Sequence, residues 1–383
     1  MKLLLDHHEP FSLARGGYQI QIEETSRALR EIGVDVEYLR WWDSDQKGDV
    51  LHFFGIPPLH TVERAQGKGI KVVVTHLLTN TCNRSPAKLA AQALVTRSLL
   101  AFPPARGLCA KMGWLSLRRA DAVVVGLEAE ARVMLSVWGV ERVHVIPLAL
   151  RKEFQNLQNP QLDHSFDSRS PERVPPAGQS SGLSARFVPT ATCSTFRSPT
   201  SDSRILNSDF RLPPSSLPLL SVGTICARKR SVELAEIARA AKIPILFVGN
   251  PLSESDPCWK SFVSQCDGTF VRHMSHVEDV SKLIRIFREA RGFVHFSDGE
   301  NWCFAAHEAA ACGLPLLLPD QPWSRELFGT NATYWKNDRQ PEQLRQFYDD
   351  CPSMHVSPHT SLSWTDIARK LLKIYSESPA RNG

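Results

Sequence analysis

Short apolar runs alternate with stretches of helical spacing along most of this chain. Residues 2–6 read as a strand. Gly16-Gly17 opens a segment in which Ile20, Ile22, Ala28, Leu29 and Ile32 recur at helical intervals, and Gly33 stops it. Residues 34–39, 50–54, 71–75, 122–125 and 143–146 are further runs rich in Val and Leu. Such runs, separated by helical stretches, predict a parallel sheet covered on both faces. The same alternation resumes at Leu217. Residues 219–222, 243–248, 292–296 and 315–318 read as strands, and 232–241, 277–290 and 304–312 as helices, the last capped by Gly313. Near the end, Ile367, Leu371, Leu372 and Tyr375 give residues 363–375 the spacing of an amphipathic helix.

Between the two patterned regions the composition changes. Residues 160–216 hold eight Pro and thirteen Ser with few large apolar side chains. Such a segment cannot bury enough apolar surface to offset its chain entropy, and it reads as a disordered insertion. The predicted organisation is an α/β domain at 1–151, the insertion at 152–216, a second α/β domain at 217–355 and a terminal helix at 356–383.

A length of 383 residues accommodates two domains. The nine cysteines are scattered with no CxxC pair, which favours a reducing, cytoplasmic setting over a disulfide framework or a zinc site. The opening apolar run is too short for a signal peptide, and no window is apolar enough for a transmembrane helix. A net charge of +5 is too mild to point to nucleic acid, and the spacings of zinc fingers and basic zippers are absent. The distribution of charge is more telling. Between Glu63 and Asp121 there is no acidic residue, while Arg64, Lys68, Lys71, Arg84, Lys88, Arg97, Arg106, Lys111, Arg118 and Arg119 all fall there.

Ligands of an open parallel sheet bind beyond the carboxyl ends of its strands, so the residues after each strand carry the candidate chemistry. After 292–296 comes Ser297-Asp-Gly-Glu300-Asn-Trp-Cys, leading into a helix that contains Glu308. On one continuous helix the two glutamates would lie about 12 Å apart. With Glu300 in the loop and Glu308 in the helix, both can line one pocket. The amides of Asn301, Trp302 and Cys303 would offer a helix start to a diphosphate. After 219–222 comes Gly223-Thr224-Ile-Cys-Ala-Arg228-Lys229-Arg230, three adjacent cations placed to stabilise a departing diphosphate. No Asp-x-Asp pair is presented at a strand end, so no metal is expected in that role. Gly16 and Gly17 after the first strand, and His76 after 71–75, complete the set. Trp41-Trp42 and Trp302 are open to two readings, sugar platform or packing.

The run from Glu300 to Glu308, followed by Ala-Ala-Ala-Cys-Gly313-Leu-Pro315, resembles the E-x7-E signature of the family 4 retaining glycosyltransferases. Gly223 to Lys229 is similar to that family's basic diphosphate strand. Ser363-Trp364-Thr-Asp-Ile-Ala resembles its C-terminal helix, and Gly16-Gly17 its glycine-rich acceptor loop. The pieces occur in the family's order over nearly the whole chain outside 152–216. The resemblance implies a GT-B fold, two Rossmann-like domains facing each other across a cleft. It also implies metal-independent transfer, with retention, of a sugar from a nucleoside diphosphate sugar to an acceptor hydroxyl. No cofactor is implied beyond that donor substrate. Lys229 with Arg228 or Arg230 would stabilise the leaving group. Glu300 would orient the sugar and Glu308 the ribose. Gly16, Gly17 and His76 would serve the acceptor side. The chain departs from the pattern at Thr224, where the family has Arg, at Asn301-Trp302-Cys303, where Gly-Phe-Gly is common, and at Leu77, where Asp follows the His.

Two rivals share these features. A nucleotide-sugar epimerase of the same fold would consume donor without an acceptor. A non-catalytic nucleotide-sugar-binding protein would keep the site without turnover. The acid-free basic stretch lies in the acceptor half and also carries Leu94, Val95, Leu99, Leu100, Phe102, Met112, Trp114, Leu115 and Leu117. That composition suits anionic membrane, and with it a glycan or lipid-linked acceptor on the inner face.

Overall fold

A computed structural model describes residues 1–8, 16–76, 81–157, 217–336, 340–356 and 361–377. The segment predicted as an insertion lies almost wholly outside the described residues.

The first half runs β1 (Lys2–His7), α1 (Gly17–Glu31), β2 (Asp35–Tyr38), β3 (Val50–Phe54), α2 (Leu59–Gly67), β4 (Lys71–Thr75), α3 (Pro86–Ala101), α4 (Arg106–Lys111), α5 (Trp114–Arg119), β5 (Ala122–Val125), α6 (Glu128–Trp138), β6 (Val143–Val145) and α7 (Lys152–Asn156). Its six strands form one parallel sheet in the order β2-β1-β3-β4-β5-β6. Alternation along β1 sorts the core into two layers. Leu3 and Leu5 pack with Ile22 and Leu29 of α1. Leu4, on the opposite face, packs with Leu51, Phe53 and the α6 residues Val133, Met134 and Val137.

The second half runs β7 (Leu219–Val222), α8 (Ser231–Ala241), β8 (Ile245–Val248), α9 (Pro257–Gln265), β9 (Val271–Met274), α10 (Val280–Arg288), β10 (Gly292–Val294), α11 (Phe304–Ala311), β11 (Leu316–Leu318), α12 (Pro322–Phe328), β12 (Thr333–Tyr334), α13 (Pro341–Asp350) and α14 (Trp364–Ser376). The second parallel sheet has the order β12-β11-β10-β7-β8-β9. Leu220, Phe293 and Leu316 face α10 and α11, while Leu219, Val294 and Leu317 face α8 and α13. The helix expected over 277–290 starts only at Val280, because the Asp279 carboxylate caps the Ser281 and Lys282 amides.

The terminal helix α14 returns to the first domain. Trp364, Ile367, Leu371, Ile374 and Tyr375 are buried in the same core as Leu3, Leu5 and α1. Tyr375 Oη lies 2.6 Å from His52 Nδ1, whose Nε2 is 2.7 Å from Thr75 Oγ1. Lys71 Nζ donates to the Ile374 carbonyl at the helix end, at 2.5 Å.

The carboxyl ends of the two sheets face each other. Asn83, beyond β4, donates to the Asp298 carbonyl beyond β10. The Glu326 carboxylate of α12 accepts from the first amides of α6, Glu128 at 2.6 Å and Ala129 at 3.0 Å. A Cβ on Gly17, the first residue of α1, would stand 2.9 Å from the Phe304 ring at the start of α11. Only glycine allows that approach. The loops after β4 and β10, the starts of α1, α6 and α11, and α12 thus meet along one cleft.

Candidate functional site

Three of the residues singled out in the sequence come together at the carboxyl ends of β7 and β10. The chain leaves β7 at Gly223, makes a tight turn over Ala227–Lys229, and enters α8 through Arg230 at φ 51°. Non-glycine residues rarely adopt that left-handed conformation. The turn is held down from the other strand: the Arg228 carbonyl accepts from the Asp298 amide at 3.0 Å. This geometry aims Lys229 and Arg228 at Glu300. Lys229 Nζ is 2.5 Å and Arg228 Nη1 2.8 Å from the same Glu300 oxygen. Arg228 Nη1 also donates to the Gly299 carbonyl. Arg230 turns elsewhere, pairing with Glu233 at 3.0 Å and Asp298 at 3.6 Å. Of the two alternative partners for Lys229, Arg228 is therefore the one that joins it. Thr224 is half-buried in the loop between Gly223 and the turn.

His295 is a further member of this cluster. Its Nε2 is 3.2 Å from the same Glu300 oxygen, and its ring is buried between Phe293 and Trp323. Burial and the neighbouring Lys229 push its pKa down, so the ring is neutral and donates Nε2–H to the carboxylate. Burial opposes the charge on Glu300, but Lys229, His295 and Arg228 outweigh it and hold the carboxyl well below its usual range. The group therefore holds two cations and one anion, leaving one net positive charge.

Glu308 lies one turn into α11, and its side chain is 4% exposed. Arg151, from the segment joining β6 to α7, donates Nε at 3.0 Å and Nη2 at 2.5 Å to one Glu308 oxygen. Burial raises the Glu308 pKa more than this pair lowers it. Helix α11 starts at Phe304, with Cys303 as the residue before it at φ 53°. The Phe304 and Ala305 amides have no carbonyl one turn back within the helix, so the helix start lies slightly beyond the expected Asn301–Cys303 amides. Asn301 is buried and donates Nδ2 to Glu130 of the first domain. Trp302 is buried against His307, with ring centroids 3.9 Å apart, so its indole packs and is not displayed. The Cys303 thiol is pushed up to about 12 by burial and stays protonated.

On the acceptor side, Gly16 at φ 153° leads into α1, and among the described residues nothing lies within 4 Å of where a Cβ would stand. His76 follows β4, and its amide donates to the Val124 carbonyl. Burial, with His8 nearby, lowers its pKa to about 4, so it is neutral near pH 7. It stands in the first domain, apart from the Glu300 cluster. Asp43-Ser44-Asp45 lies past β2, and the Asp43 carboxylate is taken by Arg40 and the Asp45 amide. Among the described residues, no group of three or more His, Cys, Asp or Glu is placed to hold a metal ion.

Sequence reasoning missed His295, Arg151, Glu130 and Glu326. His295 carried a signal: it is the one polar residue in the run Gly292-Phe-Val-His-Phe296. Arg151 and Glu326 carried none, because each acts on a residue far away in the chain.

Two doubly wound parallel domains, with their strand ends facing and a last helix returning to the first, define a GT-B fold. Solved structures of that fold align with nearly the whole chain. Sucrose-phosphate synthase from Thermosynechococcus elongatus is 14% identical, covers 98% of each chain and has a TM-score of 0.57. HepE from Anabaena, in complex with UDP-glucose, is 12% identical, covers 97% of each chain and scores 0.54. A trehalose-6-phosphate synthase described for glycosyl transfer with retention is 11% identical, covers 98% of this chain and 94% of its own, and scores 0.52. No protein family description and no curated protein sequence matches this chain.

Proposed function

We propose that the protein is a glycosyltransferase that takes a sugar from a nucleoside diphosphate sugar with retention and without a metal. The observation that carries this reading is the Lys229–Arg228–Glu300–His295 group facing the acceptor half across the cleft. A diphosphate meets one net positive charge there and a helix start beside it. When the sugar–phosphate bond breaks, charge grows on the leaving oxygen, and fixed cations stabilise that state more than the ground state. Glu300, ionised and gripped by three donors, is a rigid acceptor for sugar hydroxyls. The Glu308 oxygen not held by Arg151 is the candidate partner of the ribose. Retention agrees with the signature resemblance, which implies that the acceptor hydroxyl enters on the face the diphosphate leaves, and with the likeness to a trehalose-6-phosphate synthase described for transfer with retention.

The test is a thermal-shift screen over UDP-, GDP- and ADP-sugars, followed by product analysis with the donor that binds. A bound donor raises the melting temperature with its concentration. Transfer with an inverted anomeric centre, or strict dependence on Mg²⁺ or Mn²⁺, contradicts the corresponding part of the proposal. Donor binding without transfer or hydrolysis supports the non-catalytic rival, and an isomerised donor sugar the epimerase.

A specific observation favours a membrane-borne acceptor. Within the acid-free stretch Leu117 is buried, but Leu94, Val95, Phe102, Leu108 and Met112 on and around α3 and α4 are exposed. They stand among Lys88, Arg97, Arg106 and Lys111, a combination suited to anionic lipid. No helix among the described residues is long and apolar enough to cross a membrane, so the contact proposed is peripheral. Sedimentation with phosphatidylserine vesicles at low salt is expected to carry the protein down, less so after reversal of Lys111, Arg118 and Arg119 to Glu. Failure to sediment leaves a soluble glycan acceptor.

A further inference from the structure

Two tryptophans at the rim of the first domain have no place in the donor site. Trp41 and Trp42 are 86% and 69% exposed, and their rings meet edge to face with centroids 5.5 Å apart. Leaving two indoles in water forgoes the large apolar burial that tryptophan offers, and elsewhere in the described chain Trp138, Trp302, Trp323, Trp335 and Trp364 are buried. The pair is also held in place. It occupies the middle of a turn closed by the Asp43 amide donating to the Arg40 carbonyl at 2.9 Å. Arg40 grips Asp43 through Nε and Nη2 and Glu37 through Nη1, all within 3.0 Å. Gln46 ties Glu37 to the Arg40 amide. Such a cross-braced turn presents its tip with little conformational freedom left to lose on binding.

The position names the kind of ligand. The turn follows β2 at the carboxyl edge of the acceptor sheet. Tyr38 at the end of β2 pairs with Leu5 of β1 and meets the His7 ring, one strand from the Gly16-Gly17 entry to α1. Trp41 and Trp42 are three and four residues past Tyr38, so at most about 14 Å of chain separates them from that rim. Within the turn itself Asp43 is taken by Arg40, Glu37 is paired with Lys2 and Arg40, and the exposed Asp45 stands near Lys47. Among the described residues, the turn lacks the run of unpaired cations found on α3 and α4, and the exposed Asp45 carboxylate suits a hydroxyl or ammonium donor. Flat π faces beside a hydroxyl-accepting carboxylate are the chemistry of a pyranose ring.

We propose that Trp41 and Trp42 form an outer acceptor subsite that stacks on a neutral or amino-bearing sugar ring, one or two residues away from the hydroxyl being glycosylated. The acceptor is then an oligosaccharide or carries one. This rests on the reading of the first domain as the acceptor side, but it has its own readout.

The experiment is an array of neutral and amino-bearing oligosaccharides probed with the wild type and with a Trp41→Ala/Trp42→Ala variant. Any glycan captured is then titrated in solution by tryptophan fluorescence. Capture of at least one oligosaccharide by the wild type is expected, with affinity at least tenfold weaker in the variant. The variant keeps the melting temperature and the sugar-nucleotide thermal shift of the wild type. Absence of any glycan whose capture depends on the two indoles overturns the subsite, even if donors bind. Loss of vesicle sedimentation in the same variant also overturns it, because the indoles would then be lipid anchors. Glycan binding without any sugar-nucleotide shift keeps the subsite and removes the transferase reading.

Discussion

Lys229 stands against Glu300 with its ammonium 2.5 Å away, and that contact sets what its removal does. Without Lys229, Glu300 keeps Arg228 and His295 as donors, so the carboxylate is not orphaned and the fold survives. What is lost is charge at the leaving phosphate. Lys229→Ala is expected to lower kcat about a hundredfold or more, the size seen when one electrostatic stabiliser is removed. The melting temperature should stay near that of the wild type. A kcat close to wild type in a stable variant would place the leaving-group cation elsewhere, with Arg228 next in line. At this scale the sequence displayed residue types but not aim. Three adjacent cations were visible, yet only the turn and the left-handed Arg230 decide that two face Glu300 and the third faces Glu233. Trp302 shows the same limit, since its burial depends on His307 and on a core of the other domain.

At the scale of elements, the buried strands were the clearest feature of the chain, because a strand covered on both faces is an unbroken apolar run. The strand at 122–125, Ala-Val-Val-Val, is buried along its whole length and needed no periodicity to be seen. Helix α3 escaped for the opposite reason. Its only buried residue is Thr96, and Leu94 and Val95 face solvent, so it lacks the one-sided stripe that marks a packed helix. Helices α9 and α13 begin with Asp256-Pro257 and Gln340-Pro341, where proline at the first helical position is the usable signal. Helix α11 begins at Phe304 as the pattern of 304–312 predicts, but the Asn301–Cys303 amides expected to open it lie before it. Cys303 in a left-handed conformation delays the helix, and no pattern in the sequence marks that.

For the whole molecule, acid is the revealing variable. Burial lowers the pKa of His52 to about 3 and, with His8 nearby, that of His76 to about 4. Unfolded, both titrate near 6.5. Their contribution to stability is complete above pH 6.5 and is lost as the pH falls from there toward 4 and 3, because only the unfolded chain takes up the protons. Each buried histidine adds at most about 1.4 kcal/mol per pH unit to that slope. Glu300 acts in a lower window: its depressed pKa contributes stability above about pH 4.5 that is lost on further acidification. Melting temperatures are therefore expected to fall between pH 6.5 and 5, above the window in which Glu300 acts. His52→Gln, which can still bond Tyr375 and Thr75, should make that fall shallower. An unchanged slope in this variant would mean that His52 does not carry the effect.

The return of α14 to the first domain also bears on how the protein is made. Residues 3, 5, 22 and 29 leave the ribosome early, but the wall they pack against is Trp364, Ile367, Leu371 and Ile374. The hydroxyl that meets His52 belongs to Tyr375, 323 residues further on. During synthesis the first domain therefore waits, one side of its sheet covered by α1 but not yet by α14, while the second domain emerges with all six of its strands encoded between Leu219 and Tyr334. The order of completion is the reverse of the order of translation: the half made second closes first, and the half made first is sealed by the last helix to appear.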